Sequence, residues 1–166
     1  MKMMPLQIKP SQSGFSAVEM MVVVAIIGIL AMIAIPSSMG RIVKEQIVAA
    51  MPLADIAKEP IAAAWKATKT LPANNTEVGL PTPDKIVSNF VSNVEVKDGV
   101  IHMMFGNKAH PQIKGKTLSF RPAVIEESQI VPMAWVCGNA KAPDKMKVMG
   151  DNKTDVADDF LPQLCR

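Results

Sequence analysis

The stretch of sequence that decides the fold is residues 14–36, which read GFSAVEMMVVVAIIGILAMIAIP. Sixteen consecutive positions within it, residues 20–35, carry no polar side chain, and counting from Phe15 gives 21 residues with only two polar exceptions. A helix of 21 residues rises about 30 Å, which matches the hydrocarbon thickness of a bilayer. We therefore predict that residues 15–36 form a transmembrane helix.

The charges on either side of the apolar stretch predict its orientation. Lys2 and Lys9 precede it, and the first 14 residues contain no acid. Positive charges tend to stay on the cytoplasmic side, so residues 37–166 are expected to form a periplasmic globular domain. An ordinary secretory signal is the alternative interpretation, because a basic start, an apolar run and small residues near Ser38 also fit one.

Glu19 is a carboxylate at the start of the apolar stretch, and it separates the two interpretations. At the centre of a bilayer a carboxylate costs about 2.5 to 3.5 kcal/mol on insertion scales, a cost from which a disposable signal gains nothing. A buried acid needs a cationic partner, and no Lys, Arg or His lies between Lys9 and Arg41. The cation is therefore expected to come from outside this helix.

Residues 14–19, GFSAVE, followed by the apolar run, resemble the processing site and first helix of a Gram-negative, type IVa-like type IV pilin. In that family a prepilin peptidase cuts after the Gly, the new terminal residue is N-methylated, and the fifth mature residue is Glu. The resemblance implies a leader peptide over residues 1–14, cleavage between Gly14 and Phe15, and methylation of Phe15. It also implies the missing cation, since the α-amino group of Phe15 in one subunit can meet Glu19 of its neighbour.

The resemblance extends over essentially the whole chain. Stretches that follow the order seen in such pilins are residues 63–65, 71–75, 79–81, 94–101, 105–107, 115–118, 135–137 and 161–166. It implies a structural subunit of a type IV pilus that serves adhesion, twitching motility or DNA uptake. The implied partners are further copies of the chain, a prepilin peptidase and methylase, the pilus assembly machinery, and the inner membrane before assembly. The final location is then an extracellular pilus.

Two other functions remain open at this stage. One is a minor pilin or a pseudopilin of a secretion or competence apparatus, which shares the amino-terminal pattern. The other is a secreted binding domain that carries only a signal peptide. The amino-terminal residue of the exported protein distinguishes the second from a pilin, because a start at methylated Phe15 excludes a signal peptide cut near residues 39–41.

The composition argues against an enzyme. The chain has 166 residues, 49% of them hydrophobic and 20% charged, which fits one ordered domain. It has two His and two Cys, and it lacks HExxH, GxSxG, Walker-loop and CxxC patterns. The net charge is only +3, so nucleic acid is a weakly supported partner. We expect no catalytic residue, no metal and no cofactor.

Apolar residues after Pro36 recur at every third or fourth position, which predicts an amphipathic helix. Pro36 is expected to kink it, because proline lacks a donor. Pro52 and Pro60 are expected to bend the helix rather than end it, since the periodicity resumes after each. One bent helix over about residues 15–68 is predicted. The family resemblance adds Gly28 as a second bend site, since Gly28 and Pro36 bracket a stretch that loosens during assembly in related filaments.

The second half of the chain predicts strands. Runs rich in β-branched and aromatic residues lie at 91–96, 100–105, 117–125 and 130–137. Asp98 and Gly99 separate the first two runs and are typical of a tight hairpin turn. The predicted fold class is therefore α+β: a long amino-terminal helix, bent at prolines, packed on an antiparallel sheet of about four strands, which is the pilin fold.

Residues 138–166 have mixed charge and little pattern, and a loop of that length needs fastening. Cys137 and Cys165 bracket it, and two cysteines in a periplasmic segment predict a disulfide because that compartment is oxidising. Free thiols remain the alternative if the segment is cytoplasmic. The family resemblance agrees with a disulfide-bounded carboxy-terminal loop.

Charged residues in this loop allow two sharper interpretations. Four lysines could contact DNA phosphates, but five aspartates share the loop and cancel their charge: Lys141, Lys145, Lys147 and Lys153 against Asp144, Asp151, Asp155, Asp158 and Asp159. The aspartates hint at calcium, but a lysine stands where such a loop requires an oxygen ligand. A solvated polar surface is favoured over both. His102 and His110 have no nearby acid or Cys pattern and are predicted to be structural or surface residues.

Overall fold

The computed structural model describes residues 14–128 and 130–166, without the side chains of residues 34–39. Thirteen residues of the predicted leader therefore lie outside the described residues, as does the side chain of Pro36. The chain divides into two compact units, Met1–Ser38 and Met39–Arg166.

The amino-terminal helix ends and restarts once. Helix α1 spans Ala17–Ala50 and is uninterrupted at Gly28 and Pro36. Helix α2 spans Pro52–Thr68 and continues through Pro60, as predicted. Only Met51 separates the two, and its backbone stays helical at φ −54° and ψ −39°. One bent helix was predicted; two are present, divided at the residue before Pro52, which has no N–H to donate to the preceding turn.

In the part of the chain that the structure describes, five antiparallel strands form one sheet. They are β1 (Val91–Lys97), β2 (Val100–Phe105), β3 (Thr117–Val124), β4 (Ala134–Cys137) and β5 (Lys147–Val148). Their order is β1-β2-β3-β4, and β5 pairs with β3. The four predicted strands are confirmed, although β4 begins four residues later than predicted. Pro132, which cannot donate to a strand ladder, lies just before the observed start of β4.

The β1–β2 hairpin closes at the predicted turn. Lys97 pairs with Val100, so Asp98 and Gly99 are the two loop residues. Both have positive φ, 49° for Asp98 and 77° for Gly99. A two-residue turn with two positive φ angles matches the twist of the flanking strands, which is why the Asp-Gly pair predicts it.

The hydrophobic core lies between the helices and one face of the sheet. The helices contribute a stripe of buried residues at spacings of three and four: Val43, Ile47, Ala50, Ala54, Ala57 and Ile61. Alternate residues of β2, Ile101, Met103 and Phe105, belong to the same buried cluster. Lys58 on α2 adds a polar contact, since its ammonium lies 5.2 Å from the ring centre of Phe120.

A disulfide between Cys137 and Cys165 closes the carboxy-terminal loop, as predicted. Closing a ring of this size stabilises a fold by roughly 3.6 kcal/mol on the chain-entropy model. Backbone hydrogen bonds also hold the loop: the N–H of Met149 donates to Pro122 O, and the N–H of Asp155 donates to Thr117 O. The loop is therefore fastened to β3 at several points along its length.

Candidate functional site

The amino terminus of α1 carries a reciprocal cap. The N–H of Ser16 donates to Glu19 Oε2 over 2.9 Å, and the N–H of Glu19 donates to Ser16 Oγ over 3.2 Å. Each side chain thus satisfies one backbone donor that the helix cannot satisfy itself, which is the capping-box arrangement. The carboxylate also lies at the positive end of the helix dipole.

This cap gives Glu19 a contact within its own chain. The sequence prediction for Glu19 considers only a partner from another subunit. The sequence nevertheless contains the signature of the cap, Ser-x-x-Glu at residues 16–19 just before an apolar run. Glu19 is exposed in the structure, so its carboxylate remains accessible to a second partner.

The predicted processing position lies just before this cap. Gly14 and Phe15 have irregular, exposed backbone, and the Phe15 side chain is 83% exposed. Among the described residues, nothing lies within 4 Å of the position that a Cβ would take on Gly14. No described part of the fold therefore covers the peptide bond between the two residues.

The first half of α1 has an apolar surface on all sides. Every residue from 15 to 33 is exposed, and 14 consecutive ones, residues 20–33, have no polar side chain. Within residues 14–128 and 130–166, no helix meets the combined length and apolar content of a membrane span. Contiguous apolar surface of this extent marks an interaction site.

The loop charges that suggested DNA or calcium have local partners in part. Lys147 Nζ lies 2.6 Å from Glu126 Oε1, and an Asp155 oxygen accepts from the N–H of Thr117 over 2.5 Å. Among the described residues, no group of three or more His, Cys, Asp or Glu side chains is placed to hold a metal ion. The geometry adds no support to a calcium or DNA site.

His102 is buried, where sequence reasoning allowed a structural or a surface position. Its Nδ1 lies 2.9 Å from Ser119 Oγ on the neighbouring strand. Burial lowers the pKa of His102 from its usual 6.5, and the nearby Lys153 ammonium lowers that pKa further. The contact was not predictable from local pattern, because it depends on the register of β2 against β3.

One chain thus has an exposed apolar helix segment and a disulfide-closed α+β domain, a combination expected of the subunits of helix-cored filaments. Comparison with family models gives two matches: "Pilin (bacterial filament)" over residues 43–166, and "Prokaryotic N-terminal methylation motif" over residues 9–35. The chain belongs to the pilin family of bacterial filament subunits. The family and fold class predicted from sequence are therefore confirmed.

Several curated proteins are similar to the chain. A "Fimbrial protein" of Neisseria meningitidis serogroup B (strain ATCC BAA-335 / MC58) is 33% identical over 164 residues, covering 93% of this chain and 94% of the relative. A "Type IV major pilin protein PilE1" of Neisseria gonorrhoeae is 32% identical, with the same coverage of both chains. "Fimbrial protein Q" of Moraxella bovis is 33% identical over 76% of this chain and 85% of its own length.

Membership of this family has direct consequences. The chain is a structural subunit of a filament built from pilin subunits, and its final location is an extracellular pilus. Its methylation motif implies processing by a prepilin peptidase.

Proposed function

We propose that the chain is the major subunit of a type IV pilus, made as a precursor and polymerised through its amino-terminal helix. The observation that carries the proposal is the exposed apolar surface of residues 15–33, broken only near its start by the Ser16–Glu19 pair. Within a lone subunit nothing among the described residues covers this surface. Packing against the same segment of other copies would bury it.

The precursor is proposed to wait in the inner membrane. Residues 15–36 are its anchor, Lys2 and Lys9 hold the leader in the cytoplasm, and residues 37–166 lie in the periplasm. A prepilin peptidase and methylase then cut between Gly14 and Phe15 and methylate Phe15. Leaving the lipid for the filament exchanges one apolar environment for another, so helix packing and polar contacts must favour assembly more than water exclusion does.

Glu19 is proposed to give the assembly its register. Cleavage frees an α-amino group on Phe15, and Glu19 of the neighbouring subunit pairs with this cation as water is excluded. The cap with Ser16 uses Glu19 Oε2, and no further hydrogen bond reaches the carboxylate from the rest of the described chain. The second oxygen is therefore available for the pairing while the cap stays intact. Gly28 and Pro36 remain proposed bend sites.

The names of the relatives support a major rather than a minor subunit. Proteins that match along nearly the whole chain are named type IV major pilins. A major subunit forms the body of the filament, whereas a minor pilin or pseudopilin is present in few copies. Quantitative mass spectrometry of sheared filaments tests this directly, and a small share of this chain among the pilins would contradict the assignment.

The test of the assembly site separates the charge of Glu19 from its cap. Glu19→Gln keeps an amide oxygen that can accept from the N–H of Ser16, but it removes the charge. Ser16→Ala keeps the charge and removes one half of the cap. The gene for each variant replaces the native gene in the source bacterium. Three quantities are then measured: the amount of subunit in the membrane, the mass of its amino-terminal peptide, and the amount of filament sheared from the cells.

If the charge controls assembly, Glu19→Gln leaves normal amounts of subunit in the membrane and few filaments, while Ser16→Ala still assembles. The opposite result, filaments with Glu19→Gln and none with Ser16→Ala, would show that the helix cap matters and the ion pair does not. An amino terminus other than Phe15 in the native filament would contradict the cleavage position.

A further inference from the structure

A cavity of about 260 Å³ lies on the face of the sheet opposite α2. Alternation along β2 places Ile101 and Met103 in the core and turns His102 to this opposite face. The segment that follows β5 crosses the face, and the N–H of Lys153 donates to Ser119 Oγ over 3.0 Å. The cavity lies between the sheet and this segment. The residues that line it are Lys97, Asp98, His102, Gly150, Asp151 and Lys153.

His102 is one of the residues that line this cavity, and its ring makes one hydrogen bond in the sheet. The residue is only 4% exposed, and its Nδ1 is occupied by Ser119 Oγ at 2.9 Å. Ser119 Oγ accepts the N–H of Lys153, and its own proton can be donated to Nδ1. In that tautomer the neutral ring carries its proton on Nε2, which is the form that the proposal below uses. Burial and the Lys153 charge keep the pKa of His102 below 6.5, which favours this neutral form near pH 7.

The charges around the cavity are balanced and unpaired. Lys97 and Lys153 bring two ammonium groups, and Asp98 and Asp151 bring two carboxylates. The ion pairs found among the described residues involve none of these four. Two positive and two negative groups therefore share one concave site without neutralising one another directly, and their total charge is zero.

We propose that this cavity binds a small zwitterion, a molecule that carries one ammonium group and one carboxylate or phosphonate-like oxyanion. The oxyanion accepts from Lys97, Lys153 and the Nε2–H of His102. The ammonium group lies beside Asp98 and Asp151. Such a ligand pairs every charge that lines the cavity, and charge-assisted hydrogen bonds are the stronger kind.

Ligands with charge of only one sign fit the lining less well. A lone anion meets Asp98 and Asp151, and a lone cation meets Lys97 and Lys153. A charge left unpaired beside a like charge is unfavourable, and a net-neutral site attracts neither type from a distance. We therefore expect a zwitterion to bind with higher affinity than a simple anion or cation.

The two histidines of the chain make the test specific. Full-length protein labelled with ¹³C and ¹⁵N on histidine is prepared in a nonionic detergent, since a zwitterionic detergent could compete. β-Alanine and 2-aminoethylphosphonate are titrated separately and distinguish a carboxylate from a phosphonate. Propionate, inorganic phosphate and ethylammonium are the single-charge probes. His110 lies in the β2–β3 connection outside the cavity and serves as internal reference.

We expect a saturable shift of the His102 ring signals with at least one zwitterion and none at His110. Lys153→Ala should weaken the binding by roughly tenfold or more, because it removes one charge-assisted contact. That variant keeps the backbone N–H that bonds Ser119, so the loop stays in place. Lys141→Ala removes an exposed lysine of the same loop away from the cavity and should bind like the native chain.

Two results would overturn the proposal. Equal saturation by propionate or inorganic phosphate would show a plain anion site, in which the carboxylates have no function. No saturable shift of His102 with any probe, while Lys153→Ala and the native protein behave alike, would show that the cavity holds solvent only.

Discussion

Asn75 is a single buried side chain that attaches the connection between helix and sheet to the edge strand. Its Nδ2 donates to Pro81 O and Val94 O, each over 3.0 Å, and its Oδ1 accepts from the N–H of Val96 over 2.6 Å. The residue is 4% exposed. Its amide therefore substitutes for a neighbouring strand along the free edge of β1, where unpaired backbone groups are otherwise a liability.

Replacing Asn75 by Ala should lower the free energy of unfolding by roughly 2 to 4 kcal/mol, because buried backbone groups of β1 lose their partners. Asn74→Ala is the matched control, since Asn74 is exposed and accepts only from the N–H of Glu77. Denaturant unfolding of the full-length chain in detergent, followed by tryptophan fluorescence, measures both. Equal small losses in the two variants would contradict the assigned contribution of Asn75.

His102 should make the stability of the fold depend on pH. Burial and Lys153 lower the pKa of His102 in the folded chain, whereas the unfolded chain keeps the usual value of about 6.5. The unfolded state then binds the proton more readily, so stability is complete above pH 6.5 and falls as the pH drops below it, by at most about 1.4 kcal/mol per pH unit.

The measurement compares unfolding between pH 7.5 and 5.5 in the native chain and in two variants. His102→Asn keeps an acceptor near the position of Nδ1 but cannot titrate, so this part of the pH dependence should disappear. His110→Asn should retain it. A dependence that survives in His102→Asn and vanishes in His110→Asn would assign the effect to the other histidine.

The β1–β2 turn packs against the connection that precedes the sheet. Gly99 has φ +77°, and a Cβ placed on it would lie 2.8 Å from Leu71 Cβ. Gly79 has a similar φ of +70°, but nothing lies within 4 Å of its Cβ position. Substitutions at Gly79 and Gly99 therefore distinguish the cost of a left-handed backbone from the cost of crowding against Leu71.

Both glycine-to-alanine changes should cost about 1 to 2 kcal/mol for the left-handed backbone. Gly99→Ala should cost about 1 to 3 kcal/mol more, because Leu71 and the turn must move apart. Unfolding free energies of the two variants give the difference. A Gly79→Ala variant as unstable as Gly99→Ala would mean that crowding against Leu71 is unimportant.

Elements with strong local signals were predictable, and elements that depend on distant contacts were not. The β1–β2 hairpin follows from alternation around Asp98-Gly99, and β2 has the predicted bounds. The two-residue strand β5 has no periodic pattern and exists because Val148 meets Ala123 across the fold. The helix break at Met51 lies directly before Pro52. It was not predicted, because the helical spacing of apolar residues resumes after Pro52.

The features of the candidate site also differ in how far the sequence predicts them. The apolar run, Glu19 and the proposed processing residues could be picked out from the sequence because each lies in one short stretch, and the roles of Glu19, Gly14 and Phe15 stay predictions. The cap between Ser16 and Glu19 also has a local sequence signature, although it was not predicted. The cavity beside His102 could not be predicted, since it joins the hairpin to a loop some 50 residues away, from Lys97 to Lys153.

The residues that stabilise the fold and those proposed to build the filament occupy different parts of the chain. All buried hydrophobic residues of the described chain lie from Val43 to Cys165. Residues 15–33 contribute none of them, although they are the most apolar stretch. The second unit, Met39–Arg166, thus contains a complete core and the disulfide.

A chain that begins at Met39 should therefore fold without the apolar helix segment and remain monomeric without detergent. Because it retains the core stripe of α1 from Val43 onward, its unfolding midpoint should lie within a few degrees of that of the full-length chain, and its disulfide should form. Thermal unfolding, size-exclusion chromatography and thiol titration measure these properties. A large drop in midpoint would show that residues 1–38 stabilise the domain, and self-association of the shortened chain would place assembly contacts outside the amino-terminal helix.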